Sequence, residues 1–169
     1  MKKYHRFTTT LTISLAGLFL LLVVQNCQKN TDSEIKIGNA NSGIDSEVRK
    51  AVNDAYTLYT KSNPGWTNYY DDTYTVITGG GRSLTQYTDS LRKQWENIYE
   101  KYKVVVLNHG EPTIHASGNQ ALHYNTAAEM FINKATNDIV RNNTGTWIAL
   151  WEKQADDSWK IVLETYQAE

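Results

Sequence analysis

Gln120-Ala121-Leu122-His123-Tyr124-Asn125-Thr126-Ala127-Ala128-Glu129-Met130-Phe131-Ile132 runs without a proline or glycine, and its reading decides the fold. Ser117-Gly118-Asn119 punctuates the chain before it, and 134–138 reads as a loop after it. The stretch is a long strand between shorter ones. Ahead of it lie 103–108 (KVVVLN) and 113–116; behind it lie 147–153 and 159–166, joined by Ala155-Asp156-Asp157-Ser158. These segments read as antiparallel sheet. Side chains alternate along a strand. Ala121, His123, Asn125, Ala127, Glu129 and Phe131 therefore share one face, and Leu122, Tyr124, Thr126, Ala128, Met130 and Ile132 the other. Apolarity alone selects the even-numbered face as the core.

Upstream, the hydrophobic period changes. Val48, Ala51, Val52, Ala55, Leu58 and Tyr59 recur at helical steps, with Asp45 or Ser46 as cap and Glu47 near the positive end of the helix dipole. Asn63-Pro64-Gly65 ends that helix. The stretch 66–72 (WTNYYDD) reads as a short helical turn and 74–78 as a strand. Gly79-Gly80-Gly81 then forces a turn or loop. A second helix is expected from a Thr85 cap, with Leu84, Leu91, Trp95, Ile98 and Tyr102 on one stripe. Helices first and a meander of strands second give an α+β domain over 45–169, with the helices on one face of a curved sheet.

The first residues read differently. Met1-Lys2-Lys3 and Arg6 precede an apolar stretch over 11–24, which is short for a helix that needs about 20 apolar residues to span a bilayer. Cys27, the only cysteine among 169 residues, stands where that stretch gives way to polar sequence. A basic start, an apolar run and a processing point make a signal peptide. With cysteine at the processing point, 1–26 resembles the signal of a bacterial lipoprotein. That resemblance implies acylation of Cys27 with chains such as palmitate. It also implies a tether over 27–44 and attachment to a bacterial membrane, on the periplasmic or surface side of the cell envelope. Removing 1–26 takes away Lys2, Lys3 and Arg6, so 14 basic residues face 18 acidic ones and the net charge moves from −1 to −4. A mildly acidic domain has no electrostatic footprint for nucleic acid.

Three further pieces carry a second resemblance. They are Tyr69-Tyr70-Asp71-Asp72-Thr73-Tyr74, then Gly118-Asn119-Gln120-Ala121-Leu122-His123, then Gly145-Thr146-Trp147-Ile148-Ala149-Leu150-Trp151-Glu152-Lys153 with Asp157-Ser158-Trp159-Lys160-Ile161-Val162. In this order they resemble the NTF2-like superfamily, in particular its SnoaL-like and DUF4440-like branch. The resemblance implies a cone: a strongly curved antiparallel sheet wrapped around N-terminal helices, with a pocket at the open end. It also implies that Ala121 and its odd-numbered partners point into the cone, against the apolarity argument. Members include isomerases, dehydratases, cyclases, binding domains and assembly modules, so the fold does not fix the function.

Candidate site residues follow from that pocket. His123 and Asn125 would line it, and His123 titrates near neutrality, as a general base or hydrogen-bond donor requires. A histidine satisfied in the core is the plainer reading. Asp72 follows two tyrosines at the expected rim. A carboxylate in an apolar cone can have a raised pKa and remove a proton next to a carbonyl. The plainer reading is a turn or cap residue. Trp66, Tyr70, Tyr74 and Trp147 are the aromatic ligand-binding candidates, whereas Trp95 and Trp159 read as core. Glu164 and Tyr166, if they point outward, would mark a homodimer face on the sheet. No histidine and carboxylate spacing suits a metal, so neither a metal nor another cofactor is inferred.

Three functions remain open on this reading. One is a membrane-tethered module that binds a small, partly apolar ligand or a protein partner. Another is an isomerase, dehydratase or cyclase using Asp72 and His123 as an acid–base pair. The third is a structural dimer with a filled cone.

Overall fold

The structure is a computed structural model that describes residues 42–169. The signal segment 1–26, Cys27 and the tether as far as residue 41 lie outside the described residues. α1 (Ser42–Thr60) begins before the expected Asp45 cap, so 42–44 belong to the helix and not to the tether. It buries Val48, Val52 and Ala55, which its period places on one face. The helix closes at Ser62, which adopts left-handed φ of 53°. There the Ser62 amide donates to the Tyr59 carbonyl at 2.9 Å and the Asn63 amide to the Leu58 carbonyl at 3.0 Å. This Schellman closure satisfies carbonyls that the helix end would otherwise orphan.

A 3-10 helix (Pro64–Tyr69) follows, with the Asn63 side chain accepting from the Gly65 amide at 2.8 Å. It buries Trp66 and Thr67. The expected helical turn therefore stops earlier than residue 72, and Asp71 and Asp72 lie in β1 (Tyr70–Ile77). The glycines turn the chain back into β2 (Ser83–Tyr87), which pairs antiparallel with β1 from Thr73↔Tyr87 to Ile77↔Ser83. Leu84 and Thr85 thus belong to a strand, not to the second helix. Backbone pairing against β1 overrides the helical stripe that Leu84 suggested. α2 (Thr88–Lys101) starts later, with the Thr88 hydroxyl donating to the Asp71 carbonyl.

The remaining chain is β3 (Tyr102–His109), β4 (Thr113–Ser117), β5 (Gln120–Asn133), β6 (Ile139–Lys153) and β7 (Trp159–Ala168). Strand order is β2-β1-β7-β6-β5-β3, with β4 also paired to β5. Every neighbouring pair is antiparallel except β1 and β7, which run parallel. The sheet is therefore mixed, where a wholly antiparallel one was expected. The last strand inserts between β6 and β1, and its antiparallel pairing with β6 gives it the direction of β1. The sheet is curved and unclosed, and its concave face packs on α1, the 3-10 helix and α2 around one core.

Two registers decide what faces that core. On β5, Ala121, His123 and Asn125 are buried, whereas Leu122 and Tyr124 are 40% and 38% exposed. The odd-numbered face points inward, as the family resemblance implied and apolarity did not. On β7, Leu163 pairs with Leu150 but Ile161 pairs with Trp151, leaving Val162 as an extra residue. This bulge re-aims the strand. Trp159 and Ile161 face inward before it, and Glu164 opposite Ala149 and Tyr166 opposite Trp147 face inward after it.

Candidate active and ligand-binding site

The helices do not fill the concave face, and a cavity of about 250 Å³ remains. Each wall comes from a different element. α1 contributes Tyr56 and Tyr59, the 3-10 helix Trp66, and α2 Leu91 and Trp95. The sheet contributes Tyr70, Glu129, Trp147, Glu164 and Tyr166. The rings pack edge to face against one another: Tyr59–Trp66 at 5.6 Å, Trp66–Trp95 at 5.2 Å and Trp66–Tyr70 at 5.7 Å between centroids. Such contacts fix ring orientation as well as burying area. The Trp66 indole also donates to the Tyr99 hydroxyl at 2.9 Å.

Two carboxylates interrupt the aromatic wall. The Glu164 Oε2 accepts the Tyr70 hydroxyl at 2.6 Å and the Trp147 indole N–H at 3.0 Å. Burial raises the pKa of the Glu164 carboxyl, and those two donors oppose the rise. Glu129 accepts the Tyr59 hydroxyl on Oε2 and the Asn143 amide on Oε1 at 2.9 Å. Among the described residues neither glutamate makes an ion pair. Burial and the adjacent Glu129 charge push the Tyr59 hydroxyl pKa well up, and burial and Glu164 do the same for Tyr70. Both phenols therefore stay protonated and act as donors. Tyr166 also lines the cavity, and its hydroxyl is buried with no partner among the described residues.

The expected site residues divide. Trp66, Tyr70 and Trp147 line the cavity. Tyr74 is buried behind it, with its ring 4.6 Å from that of Tyr70. His123 and Asn125 face inward but lie deeper than the lining, both almost wholly buried. The His123 Nε2 is 2.8 Å from the Asn125 Oδ1, and its ring sits edge-on to Trp147 at 4.9 Å. The Asn125 amide donates to the Thr126 carbonyl at 2.9 Å and to the Tyr56 hydroxyl at 3.4 Å. Burial pushes the His123 pKa down to about 4, so the imidazole is neutral at ordinary pH. It supports the cavity from behind.

Asp72 is exposed on β1 and lines a separate recess with Arg92 and Lys160. The structure therefore does not bring Asp72 and His123 together, because one faces solvent and the other lies within the core. Glu164 and Tyr166 point into the cone and so cannot mark an outward dimer face. Glu164 is the principal residue that sequence reasoning misplaced. Strict alternation from Trp159 and Ile161 turns it outward, and only the bulge at Val162 turns it in. Trp95, read as core, lines the cavity as well.

No family model matches the sequence, and no curated protein does. Solved structures do. An NTF2-like superfamily protein from Salmonella enterica serovar Typhimurium is 17% identical with a TM-score of 0.63, over 76% of this chain and 93% of the other. A scytalone dehydratase candidate from Novosphingobium aromaticivorans is 11% identical with a TM-score of 0.64, over 76% and 86%. A ketosteroid isomerase-like protein from Erwinia carotovora is 15% identical with a TM-score of 0.56, over 78% and 98%. At these identities the likeness establishes the fold: residues 42–169 adopt the NTF2-like architecture.

Proposed function

We propose that this NTF2-like domain, of the SnoaL-like and DUF4440-like kind, binds a small, partly apolar molecule inside its cone. We further propose that acylated Cys27 holds it on a bacterial membrane. The cavity carries the reading. A void of about 250 Å³ walled by tryptophan and tyrosine, with two carboxylates in it, has the make-up of a ligand site. Apolar walls supply affinity, and Glu164, fixed by Tyr70 and Trp147, supplies a polar point that orients the ligand. Native mass spectrometry of the domain, followed by thermal shift against a metabolite panel, tests this. A ligand at about a hundred times its dissociation constant stabilises by about 2.7 kcal/mol. No retained compound and no shift across the panel would reject ligand binding in favour of a structural role.

The anchor has its own test. Replacing Cys27 with alanine should abolish acyl labelling of the full chain, and continued labelling would refute it. The outer sheet face with the half-exposed Leu122 and Tyr124 is a candidate surface for a second copy. Light scattering at increasing concentration reads whether it dimerises.

A second reading is favoured by one observation. Glu164 sits in an apolar cavity with its pKa raised by burial, the condition for acid–base work near neutral pH. Glu164, rather than Asp72 with His123, is then the proton acceptor of an isomerase or dehydratase. Two of the similar structures carry descriptions of that class. If it is an enzyme, Glu164→Gln loses turnover by about two to four orders of magnitude.

A further inference from the structure

Glu129 and Glu164 form an unbalanced pair of acids. Both line the cavity, and its lining contains no lysine, arginine or histidine. Each accepts hydrogen bonds from neutral donors only: Tyr59 and Asn143 for Glu129, Tyr70 and Trp147 for Glu164. Arg141 stands one residue removed: its Nε donates at 2.8 Å to the Oδ1 of Asn143, the side chain that donates to Glu129, and its charge acts on Tyr166, but it makes no ion pair with either glutamate. Enclosed carboxylates are ordinarily paired with a cation. Here no cation among the described residues reaches them.

Glu164 is also half-free. Both of its hydrogen bonds end on Oε2, and Oε1 has none among the described residues. The rings of Tyr56, Tyr59, Trp66, Tyr70, Trp95 and Trp147 share the same walls. Tryptophan and tyrosine attract cations through the negative faces of their π systems, more strongly where water is excluded. An anion would meet two carboxylates and no base. A neutral apolar molecule would leave the desolvated Glu164 carboxylate without a charge partner. A cation meets complementary charge and a polarisable wall at once. The void is about 250 Å³, so the occupant is small.

We propose that the occupant of the cone is a small organic ammonium ion, held between the Glu164 and Glu129 carboxylates and the surrounding tryptophan and tyrosine rings. This inference rests on the cavity being a ligand site and names the chemical class that site selects. Glu164 Oε1 is the anchoring atom, with Glu129 completing the negative field and the rings excluding water.

Calorimetry on the full chain in maltoside micelles tests it with a matched pair of probes. One is choline. The other is its uncharged carbon isostere, in which a tert-butyl group replaces trimethylammonium. The two have nearly the same shape and differ in charge. Choline should bind at least tenfold more tightly than the isostere. Glu164→Gln, which keeps size and an acceptor for Tyr70 and Trp147, should weaken choline at least tenfold and leave the isostere unchanged. Equal or tighter binding of the isostere overturns the cation and leaves the ligand cavity standing. Binding of neither probe also overturns it, and the cavity is then judged by the metabolite panel. The probe comparison is made on the unaltered protein, so it holds even if the variant misfolds.

Discussion

Tyr70 donates its hydroxyl to the Glu164 carboxylate at 2.6 Å, joining the first strand of the sheet to the last inside the cavity. The two residues are 94 positions apart in sequence. This contact exists because β7 inserts beside β1 and because the bulge at Val162 turns Glu164 inward. Tyr70→Phe should cost about 1–3 kcal/mol in urea denaturation, the usual penalty for depriving a buried polar group of its partner. It should also raise the Glu164 pKa further, since the lost bond opposes the effect of burial. Carboxyl-selective NMR titration reads that shift. A fall in the pKa would show that the bond does not reach the carboxylate.

His123 and Glu164 impose opposite pH dependences on stability. The His123 pKa falls from 6.5 unfolded to about 4 folded. Between those values the unfolded chain binds the extra proton, so stability drops as pH falls from about 6.5 towards 4. The gap corresponds to about 3 kcal/mol at most. Glu164 behaves in the reverse sense. Its folded pKa lies above the ordinary carboxylate value, so its contribution is full in acid and is lost as pH rises through the folded pKa. His123→Gln should flatten the acid limb of the stability profile. Glu164→Gln should gain stability over the parent as pH rises. Chemical denaturation at several pH values checks both, and parallel profiles for parent and variants would contradict the assignment.

Gly145 is a steric requirement of the β6–β7 ladder. A Cβ at that position would lie 2.2 Å from the Gln167 carbonyl oxygen and 3.0 Å from the Ala168 Cα, both backbone atoms. The two strands cannot keep their spacing around it. Gly145→Ala should destabilise by about 1–3 kcal/mol, the range for forced backbone shifts. Amide exchange at the C-terminal end of β7 should quicken with it. Unchanged exchange there would place the strain elsewhere.

Much of the architecture was legible in the sequence, and what was not has identifiable causes. The period of Val48, Val52 and Ala55 fixed α1, and the length of β5 fixed the sheet. β2 escaped notice because Leu84 fits a helical stripe as well as a strand, and only its partner β1 separates the two. The parity of β5 is hidden because its inner face carries His123 and Asn125. Asn125 is accommodated there by hydrogen bonds to His123 and Tyr56 behind the cavity, whereas the buried His123 Nδ1 has no partner among the described residues. Trp66, Tyr70 and Trp147 were recognisable as aromatic wall residues. Glu164 was not, since a single inserted residue reverses the alternation on which a strand's facing is read. Asp72 drew attention through its neighbours, yet an exposed strand residue can adjoin a tyrosine that faces inward.

The most direct test of the account follows the tryptophan indole N–H signals by NMR during titration with a compound that raises the melting point. Trp66, Trp95 and Trp147 line the cavity, whereas Trp159 donates to Glu47 at 2.9 Å and is not among its lining residues. The Trp147 indole, bonded to Glu164, should shift most, Trp66 and Trp95 should follow, and Trp159 should stay still. Saturable shifts confined to Trp159, with Trp147 and Trp66 unmoved, would contradict a ligand site in the cone.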